Sequence, residues 1–473
     1  MHPRTSTDQT APQGDHPTPT GPDSPPPDGA SPARRQGLDL GATLARTLAH
    51  FWPDFREWLA EVTDTRDQQK ITYAAPFLLM MGLMLYLLKL GARRQLRFEL
   101  DSPEMLVNLN RLSGCRQEAI AHSDTVNHGL GHVPPPALRC LRRKMVQRLL
   151  RMKALLRSRL FGHYLIVLDG TGQLFFRQRH CPHCLTKTVD GVTQYYHHVL
   201  EAKLVTPEGL AISIASEFIE NHDPKATKQD CELKAFRRLA EHLKQDFPQL
   251  RICLLLDGLY ANGTVFDLCQ QYHWKYIVTF KQGSLPALWQ DYQGLLALAP
   301  ENRRAAKTTD GRQQTFAWAE ALEHVDQEKR KHRVNAFQCL ERDRDGEHFF
   351  AWLTNCSVSS DTVVPLANRG GRCRWKIENE GFNIQKNGGF NLEHAYSTGE
   401  RQIKNFYLLL QIAHMILQLI ERGNLLSDRC QHLFGSLLKM AHRLAESLRN
   451  RLIPLETLDP ETARRIQIRL DSS

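Results

Sequence analysis

The sequence predicts an α/β protein with a mixed sheet and flanking helices. Two short, strongly apolar runs at residues 164–168 and 252–256 have the composition of buried strands. Two longer strand-like runs at 195–205 and 210–218 are joined by the turn sequence Thr-Pro-Glu-Gly, which favours a hairpin. Residues 229–247 then carry apolar side chains on one helical stripe and charged ones opposite. Strands and helices in this order are typical of the α/β class.

The first 37 residues are predicted to be a disordered tail. Up to residue 36 this segment holds nine of the 24 prolines, together with many Ser, Thr, Asp and Gly residues. Such a composition cannot bury enough apolar surface to offset the conformational entropy lost on folding. The tail is therefore predicted to lie outside the folded domains.

Residues 38–160 are predicted to form a helical, basic domain. Within it, residues 73–88 are uncharged and strongly apolar, but this run of about 16 residues is short for a membrane span of roughly 20. A buried helix is therefore favoured over a membrane-spanning one, although Lys and Arg residues follow the run as they would at a cytoplasmic membrane boundary. The aromatic-rich run at 44–62 supplies an apolar partner for this helix.

The end of this helical domain has a dense positive charge. Residues 139–159 hold nine Lys or Arg and no acid, interleaved with apolar residues. This pattern predicts a helix with its apolar face on the protein and its cationic face toward a DNA backbone, and a merely solvated helix face is the alternative. The whole chain has 61 Lys plus Arg against 51 Asp plus Glu, a net charge of +10, which permits a polyanionic partner. The residues predicted to contact DNA here are Arg142, Arg143, Lys144, Arg148 and Arg151.

Two aspartates directly follow the two apolar strands, and a third acid lies further along the chain. Asp169 and Asp257 each precede a glycine and are predicted to lie at the sheet rim, where their strands end. Glu378 shares a helical spacing with Trp375 and Phe382, which are predicted to be core residues. An Asp-Gly pair alone is commonly just a turn, so the prediction depends on the combination. Three converging carboxylates suit Mg²⁺ or Mn²⁺.

The remaining elements complete the predicted order of the chain. A helix at 262–272 and a strand at 275–280 follow Asp257, and three strand-like runs then alternate with charged turns. Apolar residues at helical spacing predict two final helices at 405–422 and 430–452. The predicted domains beyond the helical one are a first core part at 161–281, a β-rich insertion at 282–370, a catalytic helix that completes the core at 371–398, and a C-terminal helical region at 399–473.

The order of these elements and acids resembles the ribonuclease H-like core of the DDE transposases of bacterial insertion sequences. One subgroup of that family carries a Tyr-x2-Arg-x3-Glu-x6-Lys signature around its third acid, and Arg374 and Glu378 keep this spacing. Gly371 stands in the tyrosine position, and Lys386 is one residue later than the signature places its lysine. Glu380 is kept in reserve as the third acid. The resemblance implies a ribonuclease H-like mixed sheet interrupted by the β-rich insertion.

The resemblance also implies a function. Asp169, Asp257 and Glu378 would hold two Mg²⁺ or Mn²⁺ ions, which activate water and then a DNA 3′ hydroxyl for cleavage at the element ends and joining to target DNA. Arg374 and Lys386 would contact phosphates at the cleaved end. The expected partner is DNA bound by a homodimer in the bacterial cytoplasm, without a membrane. The alternatives are a nuclease and a DNA-binding protein with the same core that has lost catalysis.

A cysteine-rich motif lies between the first acid and the hairpin. Cys181 and Cys184 have the Cys-x2-Cys spacing of half a zinc site, two histidines at positions 180 and 183 flank them, and His197 or His198 could complete the ligand set. We therefore predict a possible structural Zn²⁺ at Cys181 and Cys184. Unpaired thiols on a surface loop are an equally good interpretation.

Overall fold

The computed structural model describes residues 38–179, 181–221, 229–426, 430–459, 461–462 and 467–470. The predicted tail at residues 1–37 and the predicted zinc-motif residue His180 lie outside this part of the chain. Residues 38–160 form seven α-helices: α1 Leu40–Phe51, α2 Phe55–Ala60, α3 Ala75–Leu87, α4 Gln95–Glu99, α5 Pro103–Ser113, α6 Ser123–Gly131 and α7 Pro135–Arg151.

Helix α3 corresponds to the uncharged apolar run. All of its residues except Pro76 are buried, and it packs against α5, α6 and the later helix α11, Glu400–Arg422. The prediction of a buried helix is therefore confirmed. Within the described ranges, α11 is the one helix with the length and composition of a membrane span, and 94% of its apolar window is buried inside the protein.

The described residues form a ten-stranded mixed sheet, which confirms the predicted α/β class with flanking helices. The strands are β1 Tyr164–Phe176, β2 Leu185–Val189, β3 Val192–Val205, β4 Ala211–Ile219, β5 Ile252–Leu256, β6 Lys275–Thr279, β7 Arg303–Lys307, β8 Gln313–Val325, β9 Lys331–Asp343 and β10 Gly346–Thr354. Their order is β2-β3-β1-β5-β6-β10-β9-β8-β7, with β4 paired to β3. The pairs β1–β5 and β5–β6 are parallel, and the others are antiparallel.

The strands of the predicted insertion continue this sheet. β10 pairs antiparallel with β6, with Trp352 opposite Thr279, and β9, β8 and β7 follow in turn. Three helices lie between the core strands: α8 Glu232–Asp246, α9 Gly263–Tyr272 and α10 Pro286–Leu298. The predicted hairpin is confirmed as β3 and β4, whose turn places Gly209 at a φ of 104°, a conformation that favours glycine.

Strand β1 is longer than the sequence predicted. The expected strand ended before Asp169, but β1 continues to Phe176 because the long strand β3 pairs with it throughout, with a bulge between Gly172 and Leu174. The glycines after Asp169 do not end the strand, since their backbone groups find partners on β3. The prediction that Asp169 lies at a strand end is therefore wrong, and the acid lies within β1.

A continuous run of short helical pieces follows β10. We call residues 363–387 the acid segment; it consists of Val363–Pro365, Leu366–Gly370, Gly371–Trp375, Ile377–Asn383 and Ile384–Asn387, in α, π, 3₁₀, π and α geometry. The part that holds Ile377–Asn383 packs against β1, β3 and β4. The acid segment is followed by α11, α12 Cys430–Phe434 and α13 Leu437–Asn450, so one predicted final helix is two. Ser436 caps the second of these by accepting a hydrogen bond from the Lys439 N–H.

A cluster of charged residues is buried next to the part of β3 that pairs with Asp169, where Glu201 is opposite Asp169. Glu201 and Lys203 of β3 are fully buried, and Arg142 of α7 is 2% exposed. Arg142 donates to Ser213 at 2.8 Å, and Lys203 donates to Gln411 of α11 at 2.6 Å. Glu201 accepts from Ser216 at 2.6 Å and from Tyr407 at 2.7 Å. These hydrogen bonds offset the cost of removing the charges from water.

Candidate active site

The two predicted aspartates lie near one another, Asp169 within β1 and Asp257 directly after the neighbouring strand β5. The parallel pair β1–β5 aligns Tyr164 with Ile252 and Val167 with Leu255. The same offset, extended by two residues, aligns Asp169 with Asp257. Residues aligned on parallel neighbours point to the same side of a sheet, so the two carboxylates face a common space beyond the end of β5.

Asp169 is held in a partly buried environment. Its carboxylate accepts the Gly170 N–H at 2.9 Å, and an oxygen lies 3.5 Å from an Arg374 guanidinium nitrogen. Burial raises the pKa of Asp169 to about 6, with further increases from Asp257 and Glu232, while Arg374 and the Gly170 hydrogen bond oppose the rise. The pKa of Asp169 is therefore raised mainly because its carboxylate is removed from water, and a hard divalent cation bound beside it would stabilise the charged form.

Asp257 has a second role in the local fold. It follows β5 and accepts the Leu259 N–H at 2.9 Å, so it caps the 3₁₀ turn Gly258–Tyr260. This cap fixes the direction in which the chain leaves the strand. The prediction that Asp257 lies just after its strand is confirmed.

Glu378 lies on the acid segment, one helical turn beyond Arg374. Glu378 is half-buried, and its carboxylate has neither a hydrogen bond nor an ion pair with any other described residue. Among the described residues, one group of three or more His, Cys, Asp or Glu side chains has its possible ligand atoms within 4.8 Å of one another, and it is a Cys/His cluster. The carboxylate oxygens of Asp169, Asp257 and Glu378 are therefore not all within 4.8 Å of one another. The structure therefore brings Asp169 and Asp257 together and places Glu378 on the segment that contacts Asp169 through Arg374.

The reserve acid Glu380 has a different environment. Lys376 donates to it at 2.6 Å, and a side chain built on Gly209 of the β3–β4 turn would meet it at 3.8 Å. That turn joins the end of β3 that pairs with the beginning of β1, where Leu165 is opposite Val205. Asp169 is opposite Glu201, further along both strands. Glu380 is therefore paired with Lys376 and lies near the β3–β4 turn.

Three residues near the aspartates were not predicted to belong to this site: Glu232, His198 and Tyr260. Glu232 begins helix α8; its carboxylate lies 3.1 Å from His198 Nε2 and accepts the Tyr260 hydroxyl at 3.3 Å. Burial and the carboxylates Glu232, Asp257 and Asp169 raise the pKa of Tyr260 well above its ordinary value, so its hydroxyl stays protonated and donates. In the sequence Glu232 is one of many charged residues on the polar side of an amphipathic helix, which hid its position.

Gly170 makes the approach of Glu232 possible. A side-chain carbon at this position would overlap the Glu232 carboxylate and the His198 imidazole. An added side chain next to Asp169 would therefore displace Glu232 and His198 from their present positions, where the sequence suggested only a turn. It lets Glu232 and His198 lie directly against the β1 backbone.

The two aromatic residues of the acid segment have different environments. Phe382 is 1% exposed, which confirms the prediction of a core residue. Trp375 is 55% exposed, and the Arg374 guanidinium lies 4.2 Å from its ring centroid. The prediction that Trp375 is a core residue is therefore wrong, because its ring covers the arginine that contacts Asp169.

The predicted DNA-contacting residues of α7 differ in exposure. Arg142 points inward to Ser213, Ser216 and Glu201, so the expectation that it faces DNA is wrong. Arg143 is paired with Asp246 at 3.0 Å, and Lys144 with Glu61. Arg148 is half-buried, and Arg151 is exposed. The apolar face of α7 and one of its arginines thus serve the fold, which leaves Arg151 as its freest cation.

Lys386 lies at the end of the acid segment. Its ammonium is 3.2 Å from a Glu393 carboxylate oxygen, and its side chain is 30% exposed. No described contact links it to Asp169 or Asp257. Gln385, which stands where the signature places its lysine, is fully buried and makes hydrogen bonds with Gln411 and His414.

The Cys-x2-Cys motif forms a potential metal site away from the carboxylates. The sulfur and nitrogen atoms of Cys181, Cys184 and His197 lie within 4.8 Å of one another. His198, the other histidine considered from the sequence, faces Glu232. Burial and Cys184 raise the pKa of the Cys181 thiol to about 11.

Comparison with known proteins shows a distant likeness to solved structures. No protein-family model and no curated protein matches this chain. Among solved structures, it is similar to the piggyBac transposase in a cryo-EM structure of the synaptic complex with hairpin DNA. The sequence identity is 10% and the TM-score 0.41, over 92% of this chain and 83% of that chain. Because the likeness is distant, the assignment of function depends on the site itself.

Proposed function

We propose that this chain is a DDE-type DNA transposase of the bacterial insertion-sequence kind. The observation that carries the proposal is the proximity of Asp169, within β1, to Asp257, directly after the parallel neighbour β5, with the half-buried Asp169 in contact with Arg374. Paired carboxylates that face one space are suited to metal-dependent phosphoryl transfer. The motif around Arg374 and Glu378 supplies the resemblance that narrows this chemistry to transposition.

Asp169, Asp257 and Glu378 would hold Mg²⁺ or Mn²⁺. Such an ion, when bound, supplies a Lewis acid and lowers the pKa of bound water. The chain itself contributes charge and position: Arg374 exchanges its 3.5 Å contact with Asp169 for a phosphate oxygen, and its ring partner Trp375 limits where the guanidinium can go. The exposed Arg151 of α7, the ion-paired Arg143 and Lys144 and the half-buried Arg148 would position the DNA backbone without specifying its sequence.

The proposed reaction has two phosphoryl transfers. Water attacks a phosphodiester at an element end, which breaks one P–O bond and leaves a 3′ hydroxyl and a 5′ phosphate. The 3′ hydroxyl then attacks a target phosphodiester, so one P–O bond forms as another breaks and no external energy source is needed. The proposal includes DNA as partner, a homodimer acting on two ends and a location in the bacterial cytoplasm.

The test is cleavage and joining of DNA from the two borders of the element that carries this gene. The purified chain should nick labelled border DNA with Mg²⁺ or Mn²⁺ and not with EDTA. Asp257→Asn should bind the same DNA and cleave it at least about a thousandfold more slowly, because several kcal/mol of transition-state stabilisation are lost. Asp291→Asn, at an exposed position of α10, is the matched control and should cleave normally.

The products decide between the alternatives. Joined target DNA supports transposition, cleavage without joining indicates a nuclease, and binding without cleavage indicates a protein that has lost catalysis. If Asp257→Asn cleaves as fast as the unchanged chain, the proposed role of this carboxylate is wrong. Equal cleavage by Glu378→Gln, with loss in Glu380→Gln, would move the third role to Glu380.

A further inference from the structure

The loop between β1 and β2 brings two thiols to a histidine of β3. Cys181 Sγ lies 3.4 Å from Cys184 Sγ and 3.5 Å from His197 Nε2, and Cys184 Sγ lies 3.8 Å from the same nitrogen. Sulfur ligands at ~2.3 Å and nitrogen ligands at ~2.1 Å from a tetrahedral zinc are roughly 3.5–3.8 Å apart. The three donor atoms are therefore already close to the spacing of a zinc coordination shell.

The surroundings of these atoms also fit a structural metal. Cys184 is fully buried and His197 is 5% exposed, so Cys184 is not the surface thiol of the alternative interpretation. Two thiolates and an imidazole are soft and borderline ligands, which select zinc over Mg²⁺ or Mn²⁺. The donor set thus differs chemically from the carboxylates of the candidate active site.

We infer that Cys181, Cys184 and His197 bind one zinc ion that fixes the β1–β2 loop on strand β3. This inference does not depend on the proposed function. The ion links two positions of the loop to the strand that pairs with β1 on one side and with β2 and β4 on the other. Structural zinc contributes directly to folding free energy because the unfolded chain has no preformed site.

The zinc loop also holds the chain that leads into helix α8. Asn221, after β4, donates through its backbone N–H to His183 O at 3.4 Å and through its side chain to Cys184 O at 3.2 Å. Gln229 exchanges two hydrogen bonds with the Thr186 backbone, at 2.7 Å and 2.9 Å. Helix α8 starts three residues later with Glu232, whose partner His198 directly follows the zinc ligand His197. The metal therefore stabilises the arrangement around Gly170 from two directions.

The decisive measurement is the zinc content of the purified full-length chain. Mass spectrometry of the metals should give one zinc per chain, and X-ray absorption at the zinc edge should show two sulfur ligands together with imidazole nitrogen. Cys181→Ser and His197→Asn should each lower the zinc content severalfold. Cys115→Ser, a partly buried thiol in another part of the fold, should keep it.

Two further measurements keep the outcome clear. Replacement by Co²⁺ should give a thiolate-to-metal charge-transfer band that is weaker in Cys181→Ser. Asp169→Asn should keep zinc while losing cleavage. Zinc content therefore tests the zinc site separately, and absence of the proposed transposase activity would leave the zinc inference intact. Absence of stoichiometric zinc in the unchanged chain, zinc with only oxygen or nitrogen ligands, or a reversible Cys181–Cys184 disulfide in place of metal would overturn it.

Discussion

Gly170 shows how a single missing side chain shapes the site. The residue lies between Asp169 and the bulge of β1, and the space of its absent side chain is occupied by Glu232 and His198. Glu232 reaches this position from the start of α8, and Tyr260 fixes it with a hydrogen bond. The environment of Asp169 is thus set by residues from β3, α8 and the turn after β5.

Substitution of Gly170 by alanine should disturb this arrangement. The added methyl group overlaps Glu232 and His198, so we expect about 1–3 kcal/mol of destabilisation and a marked loss of cleavage activity. Chemical denaturation and the DNA cleavage assay measure the two effects. Gly283→Ala, at a position with no atoms near the added methyl group, should change stability by less than about 0.5 kcal/mol.

A double variant separates a local clash from a general backbone effect. If Gly170 is needed for the Glu232 side chain, Gly170→Ala combined with Glu232→Ala should be less destabilised than the sum of the two single variants. Additive effects would show that Gly170 acts in another way.

The sequence predicted two of the candidate acids but not their neighbours. Asp169 and Asp257 each follow a short apolar run, which is a local pattern, and the parallel strands β1 and β5 bring the two carboxylates near one another. Glu232 has no such pattern, because its importance comes from Gly170 and His198, which are distant in sequence. The inward direction of Arg142 was hidden for the same reason: its acceptors Ser213 and Ser216 belong to a strand more than 70 residues away.

At the scale of elements, β3 organises the structure around the candidate active site. It pairs with three strands and presents His197 to the thiols, His198 to Glu232, and Glu201 and Lys203 to the buried cluster. Its hairpin with β4 was predictable because turn residues are local. The extension of β1 past Asp169 was not, since it depends on pairing with the full length of β3.

Lys203 gives the buried cluster a specific pH dependence. Burial lowers the pKa of Lys203 to about 8; Glu201 opposes this change and Arg142 reinforces it. Gln411, His414 and Tyr407 of α11 and Phe382 of the acid segment complete the surroundings of the cluster. Between pH about 8 and the ordinary value of 10.5, the unfolded chain binds more protons at this lysine than the folded chain does. The contribution of Lys203 to stability therefore rises with pH across this window.

Comparison with Lys203→Met tests this dependence. The free energy of unfolding of the unchanged chain, relative to Lys203→Met, should increase by up to about 3 kcal/mol from pH 8 to pH 10.5. Urea titrations at several pH values give the difference directly. A difference that is constant over this range would show that Lys203 keeps its ordinary pKa in the folded protein.

At the scale of the whole molecule, the last helix α13 packs against the N-terminal helices α1 and α5 and forms one helical layer with them. Asn108 of α5 is fully buried and donates to Leu448 O at 2.8 Å and to Arg451 O at 2.7 Å, and its side-chain oxygen accepts the Ile453 N–H at 2.8 Å. The Gly41 N–H of α1 donates to Ser447 Oγ at 3.1 Å. The predicted N-terminal and C-terminal helical regions are therefore in contact, which their separate patterns in the sequence did not reveal.

Loss of the Asn108 side chain should weaken this layer. Asn108→Ala leaves the backbone groups at the end of α13 without their partners, so we expect about 2–3 kcal/mol of destabilisation. Asn450→Ala removes an exposed amide at the end of the same helix and should cost less than about 0.5 kcal/mol. Equal thermal stability of the two variants would contradict the structural role of Asn108.

The contact between α3 and α11 bears on how the protein is made. Helix α3 is apolar on all sides and lies against a helix that begins at Glu400. During synthesis, the apolar helix α3 therefore leaves the ribosome long before its partner α11 has been translated. Successful synthesis requires that the segment be sheltered meanwhile, by transient collapse with neighbouring helices or by a chaperone.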